Sequence, residues 1–342
     1  TVPQVTVEDW PDLPYRGIFH ETTYASSAMT LADWKASVDL LASLKLNVLC
    51  VGLYSCWRRT DHTSEYFLFP SERYPKLRTP QKTSYYSPQQ QKQVEKTFVP
   101  YIYGKNFFSD LIDYGRERGV HVFPYLSCLG HNTHIPRMYP EVSMVDSEGR
   151  PKGYGFCTSN PKTYELLFGL IDEIVDVCLE HDGPKLFHIG MDEVREHCEC
   201  PQCRKAVNTG VDNFVIRHVL KLAEHLKDRG IERVLLWYDM LDRGGNLNRQ
   251  FVELLEERGL KDTVAPCWWA YSDLRGRPDL STTSVHRFRT FRPELGLHNW
   301  AAPSAGWNYS APMAMTGNNN VQSVQTHAER ALQDGAEGML SY

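Results

Sequence analysis

The chain has no excess of positive charge: 37 Lys and Arg stand against 42 Asp and Glu, a formal net charge of -5 over 342 residues. Neither a basic run nor a basic helix face appears, so the electrostatic footprint for nucleic acid or an anionic membrane surface is missing. No stretch approaches the roughly 18 consecutive apolar residues that span a bilayer. Thr1 to Trp10 also lacks the basic and apolar regions of a secretory signal. Histidines with paired metal-ligand spacing are absent, as are internal repeats and low-complexity tracts. Cysteine comes in an odd number, nine, and Cys50, Cys178 and Cys267 fall inside apolar patterns where a thiol packs as a small hydrophobe. With no signal pattern, this usage favours a reducing compartment, the cytoplasm.

What is present is enough for a large core, 42% hydrophobic and 12% aromatic residues. Strand-like and helix-like runs alternate along almost the whole chain, the pattern of a parallel sheet built from βα units. Candidate strands are Arg16 to Glu21, Asn47 to Leu53, Val120 to Leu126, Lys185 to Gly190, Val234 to Trp237, Val264 to Trp268, Leu295 to Trp300 and Gly338 to Tyr342. Leu31, Trp34, Val38, Leu41 and Leu44 recur at helical spacing behind Thr30 as N-cap. Further helices are predicted over Asn106 to Arg118, Pro161 to Glu180, Asp212 to Arg229 and Val321 to Gln333, the second of these capped by Asn160 with Pro161 at its first position. Eight such units predict a single-domain α/β fold, a (β/α)8 TIM barrel over 16–342 behind a short extension, 1–15. No helix follows the eighth strand before Tyr342, so the last unit is capped otherwise or the sequence continues. The segment from Trp57 to Tyr103 is too long for a simple loop. It is rich in aromatic residues, from Tyr66 and Phe67 to Tyr101 and Tyr103, unlike a disordered linker. It reads as a lid-like insertion after strand two, its tyrosines either lining a pocket or packing on neighbouring helices.

The most informative run is Lys185-Leu186-Phe187-His188-Ile189-Gly190-Met191-Asp192-Glu193-Val194. A buried strand ends at a glycine and delivers two adjacent carboxylates at the C-terminal end of the sheet, where barrel enzymes place their chemistry. An Asp-Glu pair in a surface loop would mean nothing. At this position crowding and partial burial separate the two pKa values, so that one group stays ionised while the other holds a proton as a general acid.

The ordered signals resemble glycoside hydrolase family 20, the β-N-acetylhexosaminidases, and look most like the single-barrel type called hexosaminidase D. His188-Ile189-Gly190-Met191-Asp192-Glu193 is similar to the family signature His-x-Gly-Gly/Ala-Asp-Glu, departing from it at Met191. Phe123 to His131 is similar to the strand-three segment that ends in Gly-His, and Arg16-Gly17 to the opening of strand one, although Glu21 replaces the usual Asp. With Thr1 to Tyr15 as the only preceding residues, the small α/β domain of larger members is not expected. The resemblance implies substrate-assisted catalysis, in which the sugar's own acetamide oxygen is the nucleophile. Glu193 then corresponds to the general acid, Asp192 to the carboxylate that orients the amide, and Tyr271 to the donor on the amide oxygen, with Trp269 in that place if the register slips by two. Arg16 and Asp273 correspond to sugar-hydroxyl ligands, Trp237, Trp268 and Trp269 to an aromatic wall, and His131 to a support for the acid, while His188 fits a core histidine. Trp300 and Trp307 are weaker aromatic candidates. The implied substrate is an N-acetylhexosamine-containing glycan or glycoconjugate, with no cofactor required for catalysis.

Cys198, Cys200 and Cys203 form a second cluster, Cys-Glu-Cys-Pro-Gln-Cys. A Cys-Pro-x-Cys turn can aim its thiolates at one zinc ion, with His197 or Cys157 as a fourth ligand. Free thiols and a disulfide are the alternatives. Two other functional classes stay open: a glycosidase on the same barrel with different sugar specificity, and a carbohydrate-binding pseudoenzyme, which has no need of an intact Asp192-Glu193 pair. A zinc-dependent interaction module would rest on the cysteines alone.

Overall fold

The computed structural model describes residues 6, 8–20, 26–55, 66–194, 197–206, 213–243, 245–270, 293–303 and 313–341. Its centre is a closed barrel of eight parallel strands. In chain order they are β1 Tyr15–His20, β2 Val48–Gly52, β3 His121–Tyr125, β4 Leu186–His188, β5 Arg233–Trp237, β6 Val264–Ala270, β7 Trp300–Pro303 and β8 Gly338–Ser341. β1 closes the ring by pairing with both β2 and β8. The helices that return the chain between strands include α1 Leu31–Ser43, α2 Phe107–Arg116, α3 Pro161–Leu179, α4 Phe214–Asp228, α5 Arg249–Glu257 and α6 Met313–Gln333.

The barrel follows from side-chain alternation. Phe19, Cys50, Phe123, Tyr125, Trp237 and Cys267 belong to an inner cluster that fills the ring, while their neighbours along the strands, such as Leu49, Val51, Leu236 and Trp268, join the larger cluster outside it. Strands buried on both faces must be apolar throughout, which is why they read as continuous hydrophobic runs. The predicted caps are present. Thr30 and Asp33 form a reciprocal capping box at α1, and Asn160 accepts from the Lys162 N–H at α3 with Pro161 in the first turn. Among the described residues no helix is long and apolar enough to cross a membrane.

Two predicted spans need correction. The seventh strand was expected from Leu295 to Trp300, but Pro293–Leu295 is a turn of 3-10 helix and the strand runs from Trp300 to Pro303. The described part of the 57–103 insertion is not irregular: Tyr66–Phe67 pairs with Tyr54–Ser55, and Gln81–Ser87 pairs in antiparallel register with Lys92–Phe98. Several of its aromatic residues pack or stand in solvent. The Tyr103 hydroxyl donates to the Phe67 carbonyl at 2.6 Å, Tyr74 sits edge-on to Tyr139, and Tyr85, Tyr86 and Tyr101 are exposed.

Candidate active site

The site begins where β4 stops. Beyond His188 the backbone keeps its barrel bonds for two more residues, Ile189 N–H to Leu235 O at 2.8 Å and Trp237 N–H to Gly190 O at 2.8 Å. It then turns sharply, with left-handed φ of +70° at Gly190, +87° at Met191 and +48° at Glu193. Gly190 is obligatory on two counts, since a Cβ there would also lie 2.8 Å from Ser127 Cα and from the Tyr125 hydroxyl. Met191 and Glu193 have no such freedom, and strained backbone of this kind persists only where the surroundings enforce it. The enforcement is visible. Met191 is fully buried, and the Glu193 N–H donates to Asp239 Oδ2 at 3.0 Å.

Opposite this turn the chain leaves β3 through Ser127 to His131. The Ser127 hydroxyl donates to the Gly130 carbonyl at 2.6 Å, tightening the turn. Gly130 lies directly on the β4 extension, where an added Cβ would come within 2.6 Å of the Asp192 carbonyl oxygen. His131, at φ +46°, therefore presents its ring to both acids. His131 Nε2 is 3.4 Å from Asp192 Oδ2 and 3.3 Å from Glu193 Oε2, and all three side chains are mostly enclosed, 16% exposed for the histidine and 18% for each carboxylate.

The acidity of Asp192 is altered. Burial pushes its carboxyl up to about 7, the charges of Asp239 and Glu193 push the same way, and His131 acts against them. Asp192 Oδ1 is buried without a hydrogen-bond partner, an acceptor that a bound N–H group would satisfy. The sequence reading expects the protonated member to be Glu193, so the raised value at Asp192 is a feature that sequence did not reveal. It arises mainly from burial of the carboxyl, with the charges of Asp239 and Glu193 adding to it.

Asp239 was not singled out. It caps the end of β5, where it is buried, and it links two parts of the site by accepting from the Glu193 N–H and, at 3.2 Å, from the Trp269 indole N–H. The rule that identified Asp192 and Glu193, an acid just past the C-terminal end of a buried strand, also applies to Leu236-Trp237-Tyr238-Asp239.

The remaining candidates divide. Trp237 is inside the barrel, its indole N–H donating to the Tyr125 hydroxyl at 3.1 Å and its ring centroid 4.3 Å from that of His188. His188 is a fully buried core residue whose pKa burial holds far below the ordinary value. Trp269 faces inward beside Asp239. Trp268 does not: strand alternation turns it to the outer cluster, where it stacks on Tyr238 with centroids 4.3 Å apart, so it is not a substrate wall. Arg16 is also removed from the site. It lies at the start of β1, the opposite end of the barrel, and its guanidinium donates to the carbonyl oxygens of Leu13 at 2.6 Å and Lys45 at 2.7 Å. Trp300, at the start of β7, is at that end too, stacked on Tyr15. Tyr271, Asp273, Glu21 and Trp307 lie outside the described residues. Cys198, Cys200 and Cys203 gather a few residues beyond Glu193 together with Cys157.

An eight-stranded parallel barrel with two carboxylates and a histidine converging past the C-terminal ends of β3 and β4 defines a barrel protein with an acid–base site. Comparison with known proteins makes this specific. The profile described as "Glycosyl hydrolase family 20, catalytic domain" matches residues 13–272, and the chain belongs to that family. The chitooligosaccharidolytic β-N-acetylglucosaminidase of Bombyx mori is 28% identical over 203 residues, 58% of this chain and 30% of that protein. A β-hexosaminidase of Akkermansia muciniphila is 26% identical over 220 residues, 60% of this chain and 40% of that protein. The chain thus spans less than half the length of these relatives. Among solved structures, the exo-β-N-acetylglucosaminidase of Vibrio harveyi in complex with N-acetylglucosamine aligns with a TM-score of 0.63 at 16% identity, over 97% of this chain and 50% of that one. The β-N-acetylhexosaminidase of Bacteroides fragilis aligns at 0.61 and 19% identity, over 97% and 61%. At these identities the structural likeness speaks for the fold, a TIM barrel.

Proposed function

We propose that this barrel is a retaining exo-glycosidase that removes terminal β-linked N-acetylhexosamine from a glycan or glycoconjugate, with the substrate's acetamide as nucleophile. The observation that carries the reading is the triangle of His131, Asp192 and Glu193, with Asp192 Oδ1 buried and unpartnered beside it. The names of the relatives, β-hexosaminidases and β-N-acetylglucosaminidases, support the same substrate class.

In the first step Glu193 donates its proton to the glycosidic oxygen as that bond to the anomeric carbon breaks. The acetamide oxygen attacks the same carbon and closes an oxazolinium ring, and Asp192 holds the amide N–H through the acceptor that is otherwise empty. In the second step the Glu193 carboxylate takes a proton from water as the water oxygen opens the ring, so two inversions give net retention. Tyr271 is the proposed donor to the acetamide oxygen and Asp273 a proposed hydroxyl ligand. Trp237 and Trp269 form the apolar wall. Intramolecular attack replaces an enzyme nucleophile because a positioned neighbour has an effective concentration far above any free one, and Asp192, ionised above its raised pKa, stabilises the cationic ring.

Side-by-side turnover of aryl N-acetylglucosaminide, N-acetylgalactosaminide and non-acetylated glycoside tests the reading. Only acetamido substrates should be hydrolysed, and a cyclic thiazoline analogue of the oxazolinium should inhibit far more strongly than product. Equal turnover of sugars without the acetamide, or a fluorosugar adduct trapped on a carboxylate of the chain, would instead establish the two-carboxylate route.

A further inference from the structure

The three local cysteines meet a fourth from a distant part of the chain: the Sγ atoms of Cys157, Cys198, Cys200 and Cys203 all lie within 4.8 Å of one another. Cys157 Sγ is 3.7 Å from Cys200 Sγ and 3.9 Å from Cys203 Sγ. Four zinc–thiolate bonds of about 2.3 Å in a tetrahedron place sulfur atoms about 3.8 Å apart. A disulfide needs about 2.05 Å.

We propose that these four cysteines bind one zinc ion, and that the ion fastens the loop carrying Asp192 and Glu193 to the loop carrying His131. All four positions of the tetrahedron are taken by sulfur, so the site is closed and structural rather than catalytic. The surroundings suit thiolates. The Cys203 N–H donates to Cys200 Sγ at 3.3 Å, and Ser159 Oγ lies 3.1 Å from Cys203 Sγ. His197, the alternative fourth ligand, packs its ring edge-on against Phe214 instead.

The position of the cluster gives the ion its use. Cys157 directly follows a hairpin, Ser143–Val145 with Pro151–Phe156, that is built into the His131 loop. The His131 N–H points to the Tyr154 hydroxyl at 3.4 Å, and the Gly155 N–H donates to the Asn132 carbonyl at 2.8 Å. From the other side, Glu199 N–H donates to Val145 O at 2.9 Å, and Lys152 pairs with Glu199 at 3.1 Å. A metal joining Cys157 to Cys198, Cys200 and Cys203 therefore closes a loop across the two segments that hold the acids and their histidine. Binding exchanges the four thiol protons for the ion. The site itself stands apart from the glycosidase reading; its effect on Glu193 rests on that reading.

The test uses the whole chain purified under reducing conditions. Elemental analysis should find about one zinc per chain, and cobalt exchanged into the site should show thiolate charge-transfer and tetrahedral ligand-field bands. Cys157→Ser and Cys203→Ser should lose the metal, and Cys178→Ser, outside the cluster, should keep it. If the cluster variants do not fold, the cobalt spectrum of the unaltered protein decides. A folded chain that neither carries zinc nor gives the cobalt bands, that holds iron instead, or that has a disulfide among these residues overturns the assignment. Hydrolysis should be unchanged soon after chelator is added, since the ligands are enclosed. Prolonged dialysis against a strong chelator should lower kcat at least tenfold with little change in KM, and reduce deuterium-exchange protection across 190–194 and 197–206, both restored by zinc. Retained kcat and protection in the metal-free protein would overturn the fastening role while leaving the metal count intact. A zinc-loaded protein with no activity on any acetamido sugar would instead count against the proposed function.

Discussion

Asp192 and Glu193 are neighbours in sequence, yet their surroundings differ enough to divide their work. Asp192 holds its proton up to about 7 in the folded chain, against an ordinary value of 3.8. Between roughly pH 4 and 7 the native state therefore keeps a proton that the unfolded chain releases, so this residue's contribution to stability falls as pH rises through that window and is level above it. Asp192→Asn, which cannot ionise, should gain stability relative to the parent as pH goes from 4.5 to 7.5; thermal melts showing a constant difference across that range would refute the assignment. Glu193→Gln tests the other half. Without a general acid, turnover of substrates with poor leaving groups should fall by roughly 10²–10⁴, while aryl substrates with activated leaving groups lose less. Equal losses on both would make Glu193 structural. The pair was readable in the sequence because a glycine and two acids end an apolar run. What sequence could not supply was the contact that brings Asp239 to Glu193 from a different strand, and the depth of burial that raises the Asp192 carboxyl.

Secondary elements were legible where a local signal is strong and unshared. The α1 and α3 caps and the β2, β3 and β5 runs are fixed by residues close in sequence, and they appear where the pattern puts them. β7 was displaced because Leu295 and Leu297 are buried by packing outside the ring, which mimics strand patterning. The Gln81–Ser87 and Lys92–Phe98 hairpin escapes the sequence pattern because its described side chains are mostly exposed, leaving little hydrophobic alternation to read. Arg16 departs furthest from its expected place. Similarity at Arg16-Gly17 implied a sugar ligand, but the residue's place near the first position of β1 sends its guanidinium to the carbonyls that begin the barrel. Arg16→Ala should therefore leave KM for acetamido substrates unchanged and cost about 1 kcal/mol of stability, modest because the group is partly solvated. A large rise in KM with an unaltered melting temperature would return Arg16 to the substrate.

The whole molecule separates its two ends. At the C-terminal ends of the strands the structure tolerates left-handed backbone at Met191, Glu193 and His131 and a buried carboxylate with an unfilled acceptor, features that cost stability and that function retains. At the opposite end Tyr15 stacks on Trp300 and an enclosed ion pair joins Arg233 to Glu337. Glu337, just before β8, takes Arg233 from β5 in a bidentate pair at 2.7 and 2.9 Å and the Trp300 indole N–H at 3.0 Å, while its backbone bonds to Tyr15 and Asn299. Both charged side chains are largely buried, 16% and 17% exposed, and removing one member of such a pair strands the other. Glu337→Ala should therefore destabilise the fold by about 3 kcal/mol, within the range for breaking enclosed pairs. Glu337→Gln, which keeps an acceptor for Trp300, should cost less. Neither change touches the groups around Asp192, so the folded fraction should hydrolyse acetamido substrates with unchanged KM. Denaturant titration against kinetics on the same samples checks both statements, and a change in KM that exceeds the change in stability would show that the two ends are coupled through the barrel.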